Sequence, residues 1–235
     1  MKNITFEDNL IKSKYPGRGI VIGKTPDDKN FVQIYWIMGR SQNSKNRIFE
    51  SDGTFVRTKA FDESKLEDPS LIIYYPIKDY KEYHIVTNGD QTDTIYNYLE
   101  KGKSFEKALE TRCYEPDPPN FTPRISGLID MEKKEYKLSI LKTVDNNKKY
   151  EAKMFYNYSN FILGIGHCIT TYIGDGEILP SFMGEPYKVE LFDNIEKTAD
   201  IFWNYLNKDN RVSLMVKFIS EQSQKQKIVI KNKNK

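Results

Sequence analysis

The stretch GRGIVIGKTPDDKNFVQIYWIM, residues 17–38, restricts the fold more than any other part of the chain. Two runs rich in β-branched and aromatic residues flank KTPDDKN, where Pro, Asp and Asn cluster, and that pattern reads as a hairpin from about Gly17 to Met38. Further strand candidates follow: RIFES and TFVRTKAF around Asp52-Gly53, then SLIIYY, then YHIVT. The first third of the chain is therefore expected to be mostly antiparallel sheet.

After NGDQ the period changes. Ile95, Tyr98 and Leu99 stand at i, i+3 and i+4, with Gly102 at a C-terminal stop. Ser104 can cap a second helix through about Arg112, with Phe105, Ala108 and Leu109 on one face. YEPDPPNFTPR holds four prolines and reads as an irregular, stiff loop. Strands resume with RISGLI, EYKLSILKTV, YEAKMFYNYS and NFILGIGHCITTYIG. A third helix fits NIEKTADIFWNYLN, capped by Asn194, with Ile195, Ala199, Phe202 and Leu206 on its stripe. RVSLMVKFI and KIVI close the series, and the basic end at about 224–235 is expected to be a disordered tail. This order makes an α+β fold with mainly antiparallel sheets, with no internal repeat.

The 235 residues suit one large domain, since no linker-like shift in composition divides them. Lys and Arg total 36 against 33 Asp and Glu, a balance that argues against a dedicated nucleic-acid binder. No apolar run approaches the roughly 20 residues of a spanning helix, and MKNITFEDNL lacks the form of a signal peptide, so a cytoplasmic protein without membrane attachment is expected. Two cysteines and two histidines argue against a disulfide framework and against a structural or catalytic zinc site.

GIGHCI starts like a dinucleotide fingerprint but lacks the third glycine and continues as strand. His167 and Cys168 are adjacent on a strand and so point to opposite faces; they cannot pair, and Cys168 reads as a small buried residue. His84 reads as structural. VTNGDQTDTI crowds Asp90, Thr92, Asp93 and Thr94 onto one helix start; ordinary capping accounts for part of this, but one helix needs one cap. CYEPDPPNFTPR sets Tyr114, Glu115, Asp117 and Arg124 on its stiff loop, which is either a platform for chemistry or a solvated surface loop. In GRSQNSKNR, Arg40 and Arg47 frame hydroxyl, amide and backbone donors, which suits an anion-recognition loop as well as a long solvated hairpin loop.

Together YPGRGIVIG, GRSQNSKNR, NGDQTDTI and NFTPRI resemble the archaeal-type IMP cyclohydrolases, stand-alone enzymes that close the purine ring. The resemblance covers roughly Tyr15 to Ile129 and extends more weakly through GHCITTYIGDGEILPSF. It implies a four-layer α/β/β/α Ntn-hydrolase-like sandwich. It also implies conversion of 5-formamidoimidazole-4-carboxamide ribonucleotide to inosine monophosphate and water, without metal or organic cofactor. Met1 is followed by Lys2, so the N-terminal nucleophile of the Ntn-hydrolases is not expected. By position, the resemblance assigns catalysis to Arg40, Tyr74 and Glu115, with the register between Tyr74 and Tyr75 open. Substrate contacts fall to Arg18, Arg47, Asn88, Asp90, Thr92, Asp93, Arg124 and His167. The implied partner is a purine ribonucleotide, and exposed sheet edges leave room for a homo-oligomer. Two other readings stand beside it: a hydrolase of a related cyclic amide or formamide, and a non-catalytic purine-nucleotide binding protein on the same fold.

Overall fold

The computed structural model describes residues 6–66, 69 and 71–234. A helical turn at Glu7–Lys12 precedes β1 (Gly19–Lys24), β2 (Asn30–Met38), α1 (Gln42–Lys45), β3 (Arg47–Asp52), β4 (Phe55–Ala60), β5 (Ile77–Tyr80) and β6 (Tyr83–Thr87). Then come α2 (Gln91–Glu100), α3 (Phe105–Glu110), β7 (Arg124–Asp130), β8 (Glu135–Val144), β9 (Asn147–Tyr158) and β10 (Ile165–Thr170). The chain ends with β11 (Tyr187–Glu190), α4 (Ile195–Tyr205), β12 (Arg211–Ser220) and β13 (Gln226–Asn232).

The strands form two sheets, ordered β11-β10-β1-β2-β12-β13 and β3-β4-β5-β6-β7-β8-β9, and the ladders between these strands are antiparallel. One apolar core joins the two sheets, with Ile20, Ile22 and Ile34 on one side and Val86, Ile125 and Leu138 on the other. The sheets come close together at Gly127, where an added Cβ would fall 2.6 Å from Ile22 Cδ1. A smaller core lies on the far face of the seven-stranded sheet, where Ile95, Leu99, Phe105 and Leu109 of α2 and α3 cover Ile85, Leu128 and Leu141. α4 packs on β12 and β13, and its Phe202 ring centroid is 6.5 Å from that of Trp36. β2 is thus covered on both faces and from Phe31 on reads as an apolar run broken by Gln33 alone, instead of an alternation. Burying such a side chain contributes about 1.5–3 kcal/mol each. Among the described residues no helix is long and apolar enough to cross a membrane.

The hairpin and helices α2, α3 and α4 stand where the sequence placed them, and the two expected caps form: Ser104 accepts from Lys107 N and Asn194 from Lys197 N. Three segments differ. Residues 71–75 of SLIIYY are not a strand, because their backbone bonds to one side chain: Thr58 Oγ1 donates to Ile72 O at 2.7 Å and accepts from Tyr74 N at 2.8 Å. The strand begins at Ile77, after Pro76. KIVI is a strand as read, but the region given as a disordered tail at 224–235 is mostly that same strand, β13, paired with β12 from Ile219↔Gln226 to Ser213↔Asn232. Ile228, Val229 and Ile230 pack on the core, while Lys227 and Lys231 meet Glu196 and Asp200 of α4. Finally, GRSQNSKNR holds the short helix α1, capped by Ser41, whose oxygen accepts from Ser44 N at 3.1 Å.

Candidate active site

Five segments converge at one end of the space between the sheets. Arg18 immediately precedes β1; its N–H donates to Thr171 Oγ1 at 3.1 Å, and its carbonyl accepts from Thr171 N at 2.9 Å. Gly17 before it has φ +74°, and an added Cβ there would fall 2.1 Å from Thr171 Oγ1. Tyr35 projects from β2, and Arg47 opens β3 with its Nε donating to Ser44 O at 2.9 Å. Tyr74 is held by Thr58. Glu115 lies on the proline-rich loop, where its N–H donates to Thr122 O at 2.9 Å. Asp117 braces that loop by accepting from Thr122 N at 2.6 Å.

The side chains meet in a nearly dry place. Glu115 and Arg47 are each 1% exposed, Tyr74 6% and Tyr35 0%. Arg18 Nη1 lies 3.7 Å from Glu115 Oε2, and the Tyr35 and Tyr74 hydroxyls are 2.7 Å apart. Arg18 Nε and Arg47 Nη1 are buried with no protein partner. Two cations held near each other with unfilled donors favour a bound anion or developing negative charge.

The electrostatics follow from this crowding. Burial raises the Glu115 carboxyl above its ordinary value, against the pull of Arg18, Arg124 and Arg47. Burial also raises Tyr74, which Arg47 and Arg18 partly offset, so the phenol keeps its proton at neutral pH. Arg47 is lowered, by burial first and then by Arg18. Burial opposes the Arg18 charge too, but Glu115 beside it leaves that guanidinium well above its usual value.

Behind Glu115 stands a second layer. Arg124 Nη1 is 2.7 Å from both Asp90 Oδ1 and Gln91 Oε1, and Asp90 Oδ2 also takes Arg112 Nη2 at 2.5 Å. Asp90 at the start of α2 makes no capping bond. Asn88 ties the layer together: its Oδ1 accepts from Ile125 N and Gln91 Nε2, both at 2.9 Å, and its Nδ2 donates to Pro123 O. Gly89 leaves the necessary gap, for a Cβ there would fall 2.6 Å from Arg124 Nη1 and 3.5 Å from Glu115 Oε1.

Residues 15–224 match the profile of a family described as IMP cyclohydrolase-like protein. The chain belongs to this family. Relatives named IMP cyclohydrolase include one from Methanopyrus kandleri, 33% identical over 128 residues, which are 50% of this chain and 60% of that protein. One from Methanococcus maripaludis strain C5 is 32% identical over 120 residues, 49% of this chain and 58% of that protein. One from Thermococcus kodakarensis is 29% identical over 119 residues, 49% and 56% of the two chains. The chain thus spans about three fifths of the length of the curated relatives it matches.

In this IMP cyclohydrolase-like chain the residues singled out by sequence are not all gathered. Arg18, Arg47, Tyr74 and Glu115 share the buried group; Asn88, Asp90 and Arg124 form the layer behind it. Tyr75 points away, its hydroxyl donating to Asp52 Oδ2 at 2.9 Å, so the structure selects Tyr74 for the group. Thr92 is buried, bonded to Thr87 Oγ1 at 2.6 Å and to Gly89 O, where it shapes the turn before α2. Asp93 faces outward to Lys78 at 2.6 Å. Arg40 lies at the rim; it is exposed, stacks 5.0 Å over Tyr15 and donates to Gly176 O at 2.9 Å.

His167 stands apart. Its Nδ1 is 2.5 Å from the Tyr136 hydroxyl and its ring stacks on Tyr158, three residues along β10 from Thr170, about 10 Å at strand rise. Cys168 is fully buried and burial pushes its thiol well up, which disfavours a thiolate nucleophile. Tyr35, Gln91 and Arg112 were missed. Tyr35 sits in a strand buried on both faces, where its sequence signal is the same as that of a core aromatic.

Proposed function

We propose that this chain is an IMP cyclohydrolase, closing the purine ring of 5-formamidoimidazole-4-carboxamide ribonucleotide to give IMP and water. The observation that carries the reading is the pair of arginines, Arg18 and Arg47, each with a buried and unfilled donor, beside a protonated tyrosine and a buried carboxylate. Family membership and the names of the archaeal relatives support it. The stacking of α4, the two sheets, and α2 with α3 supports a four-layer, Ntn-hydrolase-like reading of the fold.

The reaction is intramolecular, so the site has mainly to hold the formyl group against the carboxamide and to move protons. Glu115 takes a proton from the carboxamide nitrogen as that nitrogen bonds to the formyl carbon. Tyr74 gives its proton to the formyl oxygen, and Arg18 and Arg47 stabilise the charge developing there. In the second half the protonated Glu115 returns its proton to the hydroxyl, which leaves as water, and the Tyr74 phenolate takes the proton of the former formamido nitrogen as its C=N bond forms. The residues end as they began. Arg124, held by Asp90 and Gln91, orients Glu115, and rim Arg40 serves the substrate's anionic part.

The test is to mix purified protein with the formylated ribonucleotide and follow IMP by chromatography. Turnover that drops on both Glu115→Gln and Tyr74→Phe is the expected outcome. Tight IMP binding without turnover would replace the reading with a binding protein. Release of formate in place of IMP would replace it with a hydrolase.

A further inference from the structure

We propose that Tyr35 is a positioning residue for ring closure: its hydroxyl donates to the Tyr74 oxygen, leaving the Tyr74 proton directed at the substrate. The inference rests on the ring-closure reading above and deepens it. The two hydroxyl oxygens are 2.7 Å apart, and among the described residues each is the other's hydroxyl partner. One bond between two hydroxyls uses one proton and leaves the other free. Tyr74 is the outer member, 6% exposed against 0% for Tyr35, and it feels the Glu115 carboxylate as well as both arginines. Tyr35 lies one step further in, on β2, with its ring packed 5.5 Å from that of Phe49 so that it cannot swing toward a ligand. Among the described residues, a proton left free on Tyr35 would face the Arg18 and Arg47 guanidiniums, which accept no hydrogen bond. Left free on Tyr74, it faces the space next to Glu115 and Arg18.

The arrangement also acts during the reaction. When Tyr74 gives up its proton, its O–H bond breaks and the oxygen becomes anionic. The Tyr35 hydrogen bond then strengthens, because a donor to a charged oxygen holds it more tightly than a donor to a neutral one. The charged and titratable groups facing this oxygen are Arg47 from β3, Arg18 from the segment before β1, Tyr35 from β2 and Glu115 from the proline-rich loop. Those facing Tyr35 are Tyr74, Arg18 and Arg47. With the cations fixed, removing the Tyr35 donor raises the Tyr74 pKa and leaves the phenolate less stable.

The experiment compares wild type, Tyr35→Phe, Tyr74→Phe and the double variant in the ring-closure assay across pH. Tyr35→Phe keeps the ring packed on Phe49. We expect kcat to fall about ten- to a hundredfold with KM within about threefold, and the alkaline limb of the kcat profile to move upward, as loss of one bond to a charged oxygen requires. In the Tyr74→Phe background the same change has no further effect, because Tyr35 acts through Tyr74. An unmoved alkaline limb, or an equal loss in both backgrounds, would overturn the proposal. A tyrosine-Cζ NMR titration provides a readout independent of turnover: Tyr74 must titrate higher in Tyr35→Phe. Wild type without turnover would sink the ring-closure reading, and an unmoved Tyr74 titration would separately sink the Tyr35 bond.

Discussion

Asp79, Lys217 and His84 join β5, β12 and β6 through a buried charged group away from the proposed chemistry. Asp79 Oδ1 lies 2.5 Å from Lys217 Nζ and 2.8 Å from His84 Nδ1, while its Oδ2 accepts from Gln226 Nε2 at 2.8 Å. Burial works to raise the Asp79 carboxyl, but His84 and Lys217 outweigh it and bring the pKa from 3.8 to about 2. At 1.36 kcal/mol per unit that linkage is worth about 2 kcal/mol. The folded pKa is the lower one, so this stability is present above about pH 4 and is lost as pH falls through about 2.

Asp79→Asn removes it by stranding the Lys217 ammonium, which is 0% exposed, so the two effects are one loss and are not added. A buried charge left without its partner costs about 3–5 kcal/mol. For 235 residues the unfolding entropy is about 0.5 kcal/mol per degree, so Tm should drop by about 6–10 °C at pH 7. Circular dichroism melts from pH 2 to 7 read this directly. The gap from wild type must narrow toward pH 2, where Asp79 is protonated in the unfolded state and about half protonated in the folded one, and Lys217→Met added to Asp79→Asn should recover part of the loss. Equal Tm at pH 7, or a gap that does not change with pH, would refute the reasoning.

Other outcomes follow from the same geometry. Glu115→Gln should lower kcat/KM about 10²- to 10⁴-fold, the usual worth of a general base. In wild type kcat/KM should fall as pH drops through a Glu115 pKa raised above 4.5, since only the carboxylate accepts a proton, and that acid limb should be missing from the variant's profile. Thr58→Val removes the bonds to Ile72 O and Tyr74 N; denaturant melts should show about 1–3 kcal/mol lost, and kcat should fall as Tyr74 drifts. Deleting residues 226–235 strips the edge strand that covers β12. It should cost about 3 kcal/mol or more from Ile228, Val229 and Ile230 alone, measured by thermal melt, whereas loss of a loose tail would cost nothing.

The sequence by itself determined the local structure. Turn residues at 24–30, the Ser104 and Asn194 caps and the helical stripes of α2 and α4 were legible because each depends on neighbours within about five residues. Arg47 and Glu115 were legible as candidates because a cation framing a donor-rich loop and a carboxylate on a proline-stiffened loop suit anion recognition and chemistry, whereas Arg18 came only from the resemblance to the family. What only the tertiary structure decided depends on pairings across long separations. β13 is ordered along its whole length because β12, Asp79 and Phe49 receive it; KIVI was legible as a strand, but its extension into the lysine-rich end was not. Tyr74 is chosen over Tyr75 by Thr58, sixteen residues earlier. Tyr35 joins the site through a hydroxyl contact spanning 39 residues. His167, by contrast, is drawn away by Tyr136 and Tyr158. In each case the residue type permits several partners, and the sheet register, a property of the whole chain, selects one.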